Sequence, residues 1–328
     1  MIARRRLLVA FSLGALAEIL PASAQQRIKH IGFLYYGSRQ SALQTGRYGA
    51  FLDGMRELGY VEGKDFVIEA RFADGRNESL PELVAQLARL QVDVIVATGG
   101  QTAQAAQQVA PAIPVVMTVA ADPVGDGYAA SFARPGGNYT GLTSANVDTV
   151  LKSFEMVRAV VPRLSRLAVL LNSLVKSQPR QVTAIETEAR KSGIQVLAVD
   201  AHSAEDIERG FANVVRQRAG ALIILGDTFL IQQARQIAEL CLKHRVASLY
   251  PTPDYPEAGG LMSYGPDVTY NFRRAAYYVD RIVKGAKPGE LPFEQPMRFQ
   301  LVLNLRTAKA IGLTVPRELL LRADRVIE

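Results

Sequence analysis

The segment that most constrains the fold is residues 92–124, where short apolar runs alternate with a helical pattern. Residues 92–97 are apolar and β-branched, which is typical of a strand buried on both faces of a parallel sheet. A glycine turn and a helix-forming stretch (101–110) follow, and residues 115–118 return to the strand pattern. Strand, helix and strand in this order predict a right-handed crossover between parallel strands.

The same alternation on both sides of this segment predicts two lobes. The first has predicted strands at 28–36, 66–72, 92–97 and 115–118, and helices at 41–58, 80–90 and 101–110. A glycine-rich loop is predicted at 122–144. The second lobe has predicted strands at 167–171, 194–199, 221–225 and 247–250, and helices at 179–192, 204–217 and 229–244. We therefore predict an α/β fold of two Rossmann-like lobes with parallel sheets.

The chain after Glu257 predicts how the lobes are joined. It contains a strand-like GGLMSYGPD, a helix at 268–283, a proline-rich segment, the strand MRFQLVLNL and a helical TAKAIGL. Because the second lobe has four strands by then, we expect the later helix to return to the first lobe. We assign 25–143 and about 260–290 to the N-terminal lobe, and 144–259 and about 291–328 to the C-terminal lobe. Several crossings predict a hinge that closes around a ligand.

Residues 1–24 have the composition of a secretory signal peptide. Three arginines at 4–6 precede an apolar run and Ala22-Ser23-Ala24, which predicts cleavage after Ala24 and a periplasmic location. The apolar run is too short to span a membrane as a helix. A buried N-terminal helix is the alternative, and both Sec and twin-arginine export stay open.

The remaining charge and the cysteine content exclude several classes of protein. Loss of three arginines and Glu18 lowers the formal charge from +7 to +5, and the basic residues left are scattered. We therefore expect no nucleic-acid partner. Cys241 is the only cysteine, so no internal disulfide forms, and we interpret it as a buried apolar residue. No cysteine follows the signal to carry a lipid, and we expect a freely soluble monomer.

Polar residues follow equivalent strands in the two lobes, at the sheet edge where ligands bind in open α/β folds. The matched positions are Tyr36, Gly37 and Ser38 with Asn172 and Ser173; Thr98, Gly99 and Gly100 with Gly226, Asp227 and Thr228; and Asp122 and Pro123 with Pro253 and Asp254. Two such edges facing one another predict a ligand cleft between the lobes. Residues 98–102 also begin a helix, whose first N–H groups favour a carboxylate.

Each candidate has a structural alternative. Residues 98–102 are also consistent with a plain tight turn. Asp122 is equally suited to cap the turn at Pro123 or to contact a ligand. Asp227 is suited to the N-cap of the next helix, which is slightly favoured over ligand contact. Three tyrosines are candidates for stacking on a ligand or for filling the core and rim: Tyr35, Tyr36 and Tyr264.

The sequence lacks the common short motifs for catalysis and cofactor binding. The sequence has no G-x-S-x-G, G-x-x-x-x-G-K-[ST], G-x-G-x-x-G or H-E-x-x-H, and its histidines lack metal-ligand spacing. We therefore expect no enzyme activity, cofactor or metal. The alternative hypothesis is an exported two-lobe enzyme such as a glycosyltransferase. A sugar-sensing transcription regulator would need a helix-turn-helix where the export signal stands.

Five segments carry a family resemblance: LGYVEGKDFVIEARFADG, DVIVATGGQTAQAA, ADPVGDGYAASFARPGGNYTGLT, AGGLMSYGPD and AAYYVDRIVKGAKPGELPFEQPMRFQLVLNLRTAKAIGLTVP. With them the chain resembles the periplasmic substrate-binding components of ABC transporters, in the branch that includes tryptophan- and other aromatic-amino-acid-binding members. The resemblance implies a type I periplasmic-binding-protein fold with a small solute between the lobes. It also implies an ABC permease and ATPase in the inner membrane as partners.

The resemblance extends to single positions. Residues 98–102 resemble the turn that receives a ligand carboxylate, and Asp122-Pro123 matches the next rim motif. Asn146 and Asp227 match weaker polar positions. Where relatives often have asparagine-proline, this chain has NSLVKSQP, so ligand contacts at 172–178 do not carry over. The implied ligand is a small carboxylate-bearing solute, an amino acid or an aromatic acid.

Overall fold

The structure is a computed structural model that describes residues 27–144 and 147–328. The predicted signal peptide, its cleavage after Ala24 and the candidate Asn146 therefore lie outside the described residues. Among the residues that are described, no helix is both long enough and apolar enough to cross a membrane.

The first lobe is a parallel five-stranded sheet covered by helices. Its elements are β1 (Lys29–Tyr35), α1 (Arg39–Gln44), α2 (Arg47–Glu57), β2 (Phe66–Phe72), α3 (Leu80–Arg89), β3 (Val94–Ala97), α4 (Gly100–Val109), β4 (Val115–Ala120) and β5 (Tyr139–Thr143). The strand order is β2-β1-β3-β4-β5. β3, the apolar run of the central segment, is buried along its whole length because both faces of the sheet are covered.

The second lobe is a larger sheet. Its elements up to the second crossing are α5 (Val147–Val160), β6 (Arg166–Leu171), α6 (Gln178–Lys191), β7 (Gln195–Asp200), α7 (Ala204–Arg216), β8 (Ala221–Ile224), α8 (Thr228–Gln232), α9 (Ala234–His244), β9 (Ala247–Tyr250), α10 (Asp254–Glu257) and β10 (Met262–Pro266). The chain continues as α11 (Val268–Val283), β11 (Phe299–Asn304), α12 (Leu305–Ala310), α13 (Arg317–Arg322) and β12 (Arg325–Ile327). The strand order is β12-β11-β10-β9-β8-β6-β7. The two α/β lobes thus confirm the predicted fold class.

The chain passes between the lobes three times. It leaves the first sheet after Thr143, returns between β10 and α11, and leaves again after Glu294, whose N–H donates to the Gly141 carbonyl (2.9 Å). α11 packs against α2 and β4 in the first lobe, as expected. Because β10 leads out of the second sheet and β11 leads back in, these two strands are antiparallel, the one exception to the predicted parallel pairing within the described residues.

Some predicted boundaries differ from the structure. The segment of the first lobe that follows the second crossing begins at α11 rather than near residue 260, because β10 pairs with β9 and β11. The predicted loop at 122–144 contains β5, and α5 had no predicted counterpart. The helices predicted at 41–58 and 229–244 are each two helices, divided at Gly46 (φ 67°) and at Gln233.

Candidate functional site

A cavity lies between the two lobes, at the carboxyl ends of their central strands. Five of the predicted site residues line it: Tyr36, Thr98, Gly99, Gly100 and Asp227. Seven other described candidates lie away from its wall: Ser38, Thr102, Asp122, Pro123, Asn172, Asp254 and Tyr264. The predicted cleft is therefore present, but about half of its predicted contacts serve other purposes.

The turn into α4 forms the first-lobe wall. The Thr98 hydroxyl accepts from the Tyr36 N–H (3.3 Å) and donates to the Leu34 carbonyl (3.1 Å), which fixes the end of β3. Thr102 is fully buried, and its hydroxyl donates to the Gly99 carbonyl (2.9 Å). The Thr102 side chain therefore lies inside the lobe and away from the cavity wall, and only its backbone N–H belongs to the helix start. The free donors at this wall are the first N–H groups of α4.

Asp227 combines both predicted roles. Its carboxylate accepts from the Leu230 N–H (2.9 Å) as the N-cap of α8, and it also lines the cavity. Gln101 of the first lobe donates to the same carboxylate, and the Asn172 amide donates to it from 3.3 Å. Burial raises the pKa of Asp227, because its hydrogen-bond partners are neutral and only partly offset the loss of water.

Gln101 and Thr228 join the lobes directly beside the cavity. The Thr228 hydroxyl donates to Gln101 Oε1 (2.6 Å), so the first turn of α4 is bound to the first turn of α8 through both ends of one amide. The Thr228 side chain lies close to the backbone of Gly99: a Cβ on Gly99 would lie 2.6 Å from the Thr228 methyl group. Only glycine at position 99 permits this contact.

Asp126 is a cavity-lining carboxylate that our prediction missed, although it lies in the quoted ADPVGD motif. Its side chain is 10% exposed, and Oδ1 lies 3.5 Å from an Arg180 nitrogen of the second lobe. Burial and the neighbouring Asp122 raise the pKa of Asp126 to about 6, while Arg180 and Lys176 oppose the shift. The cavity wall thus carries a carboxyl group that titrates near neutral pH.

Arg47 is the second cavity-lining residue that the sequence did not indicate. It is 8% exposed, and it donates to Asp254 of the second lobe (2.7 Å) and to the Tyr35 hydroxyl (3.3 Å). Asp254 was predicted as a ligand contact, but in the structure it neutralises this buried guanidinium instead. No pattern signals the pair, because its members are 207 residues apart.

The remaining candidates have structural roles. Asp122 caps its turn by accepting from the Gly125 N–H (2.8 Å), and it also accepts from Arg180 (2.7 Å). Ser38 is the N-cap of α1. The Asn172 amide oxygen accepts from the Leu174 N–H (3.1 Å), and Tyr264 stacks on Phe299. Pro123 is buried in the same turn as Asp122. These side chains shape the rim without facing the cavity.

Most of the remaining wall is apolar, although Ser144, Gln232 and Thr252 also line it. The apolar part is formed from both lobes and from the start of α11 by Met117, Val119, Ile231, Val268 and Phe272. A cavity with one apolar wall and a few fixed polar groups is typical of a small-molecule binding site. Among the described residues, no group of three or more His, Cys, Asp or Glu is arranged to hold a metal ion.

Several known proteins are similar to this chain in sequence or in fold. A family model described as ABC transporter substrate binding protein matches residues 39–327. The tyrosine-binding protein of Clostridioides difficile is 20% identical over 263 residues, which are 80% of this chain and 75% of that protein. A conserved domain protein from Vibrio cholerae is 24% identical, and an ABC domain in complex with L-Trp from Streptococcus pneumonia is 23% identical. Both structures cover 92% of this chain and are covered over their full length, with TM-scores of 0.85 and 0.84.

Proposed function

The chain belongs to the ABC transporter substrate-binding protein family and has the type I periplasmic-binding-protein fold, and from that premise we propose that it captures an amino acid with a large apolar side chain. The interlobe cavity carries this proposal, because both lobes contribute to its wall. A solute that contacts both lobes favours the state in which they are together. We further propose that the loaded protein delivers the solute to an ABC permease and ATPase.

The polar groups of the cavity match the two charges of an amino acid. The N-terminus of α4, at Gly99 and Gly100, is suited to the carboxylate because its backbone N–H groups lie at the positive end of a helix. Asp126 and Asp227 are suited to the ammonium group. The aromatic and aliphatic wall is suited to the side chain. The relatives whose names give an amino acid, tyrosine or L-Trp, support the same class of solute.

The acidic wall argues against a purely anionic solute. The only cation that lines the cavity among the described residues, Arg47, is already neutralised by Asp254. An aromatic acid or a dicarboxylate would therefore lie near the carboxylates of Asp126 and Asp227 and would have no cationic group to pair with them. The net charge of the whole chain is positive, but the charges that line the cavity are acidic. At short range these nearby charges determine which solutes are favoured electrostatically.

Matched solutes test the proposal. We expect L-tryptophan or L-tyrosine to raise Tm and to bind in calorimetry, because a solute that binds only the folded state stabilises it. 3-Phenylpropionate and indole-3-propionate keep the carboxylate and the ring but lack the ammonium group, so we expect at least about tenfold weaker binding. Stronger binding of either acid than of its amino-acid counterpart would contradict the proposal.

The pH dependence of binding tests the role of Asp126. Its pKa of about 6 means that the carboxyl group is neutral well below pH 6 and charged above it. We expect amino-acid affinity to fall about tenfold between pH 7 and pH 5, since the ammonium group loses its partner as the proton binds. Asp126→Asn should weaken binding at pH 7 and flatten this profile. A steeper fall in the variant than in the wild type would exclude Asp126 as the responsible group.

Two further points concern the export of the protein and its oligomeric state. We propose secretion to the periplasm with cleavage after Ala24, and a monomeric mature protein. N-terminal sequencing of protein recovered from the periplasm, together with its mass in solution by light scattering, tests both points. A mature chain that begins at Met1, or a stable dimer, would contradict them.

A further inference from the structure

A charged cluster at the edge of the cleft joins the two lobes and shares one residue, Asp126, with the proposed ammonium site. Arg180, in the first turns of α6 of the second lobe, reaches across to the turn that follows β4 in the first lobe. One of its nitrogens lies 2.7 Å from Asp122 Oδ2 and 3.5 Å from Asp126 Oδ1. A single guanidinium therefore pairs with two carboxylates of the opposite lobe.

Hydrogen bonds within the turn at residues 122–126 hold both carboxylates in place beside the guanidinium. The Gly125 N–H donates to Asp122 Oδ1 (2.8 Å), and the Asp126 N–H donates to the Asp122 carbonyl (2.9 Å), which fixes both acidic residues. A Cβ on Gly125 would lie 2.2 Å from an Arg180 nitrogen and 2.2 Å from Asp122 Oδ2, so this ion pair lies directly over a residue without a side chain. Any larger residue at 125 would push the Arg180 guanidinium and the Asp122 carboxylate out of this arrangement.

Asp126 and Arg180 lie between the cavity and the solvent. The Asp126 side chain lines the cavity and is 10% exposed, whereas the Arg180 side chain is 48% exposed. The pair thus extends from the cavity wall to the protein surface. The other ion pair between the lobes among the described residues, Arg47 with Asp254, is much less exposed, with side chains that are 9% and 19% accessible.

We propose that Arg180, Asp122 and Asp126 form an ion-pair clasp across the mouth of the cleft that sets how long the lobes stay together and how fast the solute leaves. Arg180 is a positioning residue in this scheme, because it acts by holding the lobes rather than by touching the solute. For the identity of the solute the inference rests on the proposed function. Because Arg180 is half-exposed, salt screens the clasp and shortens its lifetime.

Two variants and one control test the clasp. Arg180→Gln removes the charge, and Gly125→Ala keeps all charges but disrupts the contact between the Arg180 guanidinium and the Asp122 carboxylate. Arg89→Gln is the matched control, because Arg89 pairs with Glu82 (2.6 Å) in an exposed ion pair within the first lobe. We expect both clasp variants to release solute about three- to tenfold faster, with little change in association rate, as is typical for partly exposed pairs. The control should match the wild type.

Stopped-flow release of bound L-tryptophan measures these rates. The chain has no tryptophan, so indole fluorescence reports the solute alone. In the wild type, release should become faster as ionic strength rises, and in Arg180→Gln this salt dependence should disappear. Release from both clasp variants at the wild-type rate, with unchanged salt dependence, would overturn the proposal.

A second measurement separates this inference from the proposed function. Spin labels on Lys64→Cys and Lys243→Cys place one exposed site in each lobe, while the native Cys241 is buried. We expect a larger population at the long interlobe distance in Arg180→Gln and Gly125→Ala than in the wild type, without solute. Identical distance distributions would overturn the clasp even if L-tryptophan binds. If L-tryptophan and L-tyrosine both fail to bind, the proposed amino-acid ligand is wrong, and the distances alone decide the clasp.

Discussion

Gly99→Ala should weaken solute binding by about five- to 150-fold while leaving each lobe folded, because an inserted methyl group in a tight contact costs about 1–3 kcal/mol. The new Cβ would lie 2.6 Å from the Thr228 methyl group of the opposite lobe. The backbone at Gly99 is extended (φ 164°), so alanine introduces no local strain. The steric clash therefore destabilises only the state in which the lobes are together. Solute binding requires that state.

A rescue variant makes this prediction specific. Thr228→Ser removes the methyl group in question and keeps the hydroxyl that donates to Gln101, and the next atom of residue 228 would lie 3.4 Å from the new Cβ. We expect Gly99→Ala/Thr228→Ser to recover most of the lost affinity, although Thr228→Ser alone changes little. Calorimetry with L-tryptophan measures the four affinities, and Tm without solute checks folding. Equal losses in the single and double variants would show that Gly99 acts through the solute instead of through lobe contact.

The sequence predicts well what depends on local periodicity. The buried run at β3, the glycine turn and α4 follow from residues close together in the chain, and so does the location of a cavity at their junction. Asp227 was correctly predicted as an N-cap, since an acidic residue before a helix needs only its own segment to act.

Contacts between the lobes were not predictable in this way. Arg47 and Arg180 look like ordinary surface cations in the sequence, and their partners lie 207 and 58 residues away. Whether such residues are paired depends on how two separately folded sheets meet. The two lobes repeat the same pattern of strands, and matching their strand ends therefore located the cleft. The match could not separate residues that face the cavity from those that contact the other lobe.

Thr102 illustrates the same limit within one lobe. Its position in the first turn of α4 suggested a ligand contact, yet the hydroxyl donates to the Gly99 carbonyl. A threonine at a helix start often bonds to its own backbone, and sequence alone does not decide between the two outcomes.

Asp254→Asn should have the other large effect, a loss of solute affinity on the order of a hundredfold or more. The substitution leaves the Arg47 guanidinium, which is 8% exposed, without an anion when the lobes are together. Removing one member of a buried ion pair typically costs about 3–5 kcal/mol, and separating the lobes lets Arg47 regain water. The free-energy cost therefore weakens solute binding more than it lowers the stability of the fold. Because the unpaired charge is buried, added salt should change this loss of affinity little.

Two further variants decide whether the unpaired charge is responsible. Glu257→Gln is the matched control, because Glu257 lies in the same short helix but pairs with Arg325 at the surface of the second lobe. We expect its affinity to stay within about twofold of the wild type. Arg47→Met/Asp254→Asn removes both charges, so it should bind more tightly than Asp254→Asn alone, since no buried charge remains uncompensated. Calorimetry at low and high salt measures all of these affinities. An Asp254→Asn affinity within threefold of the wild type would show that Arg47 does not depend on this partner when the lobes meet.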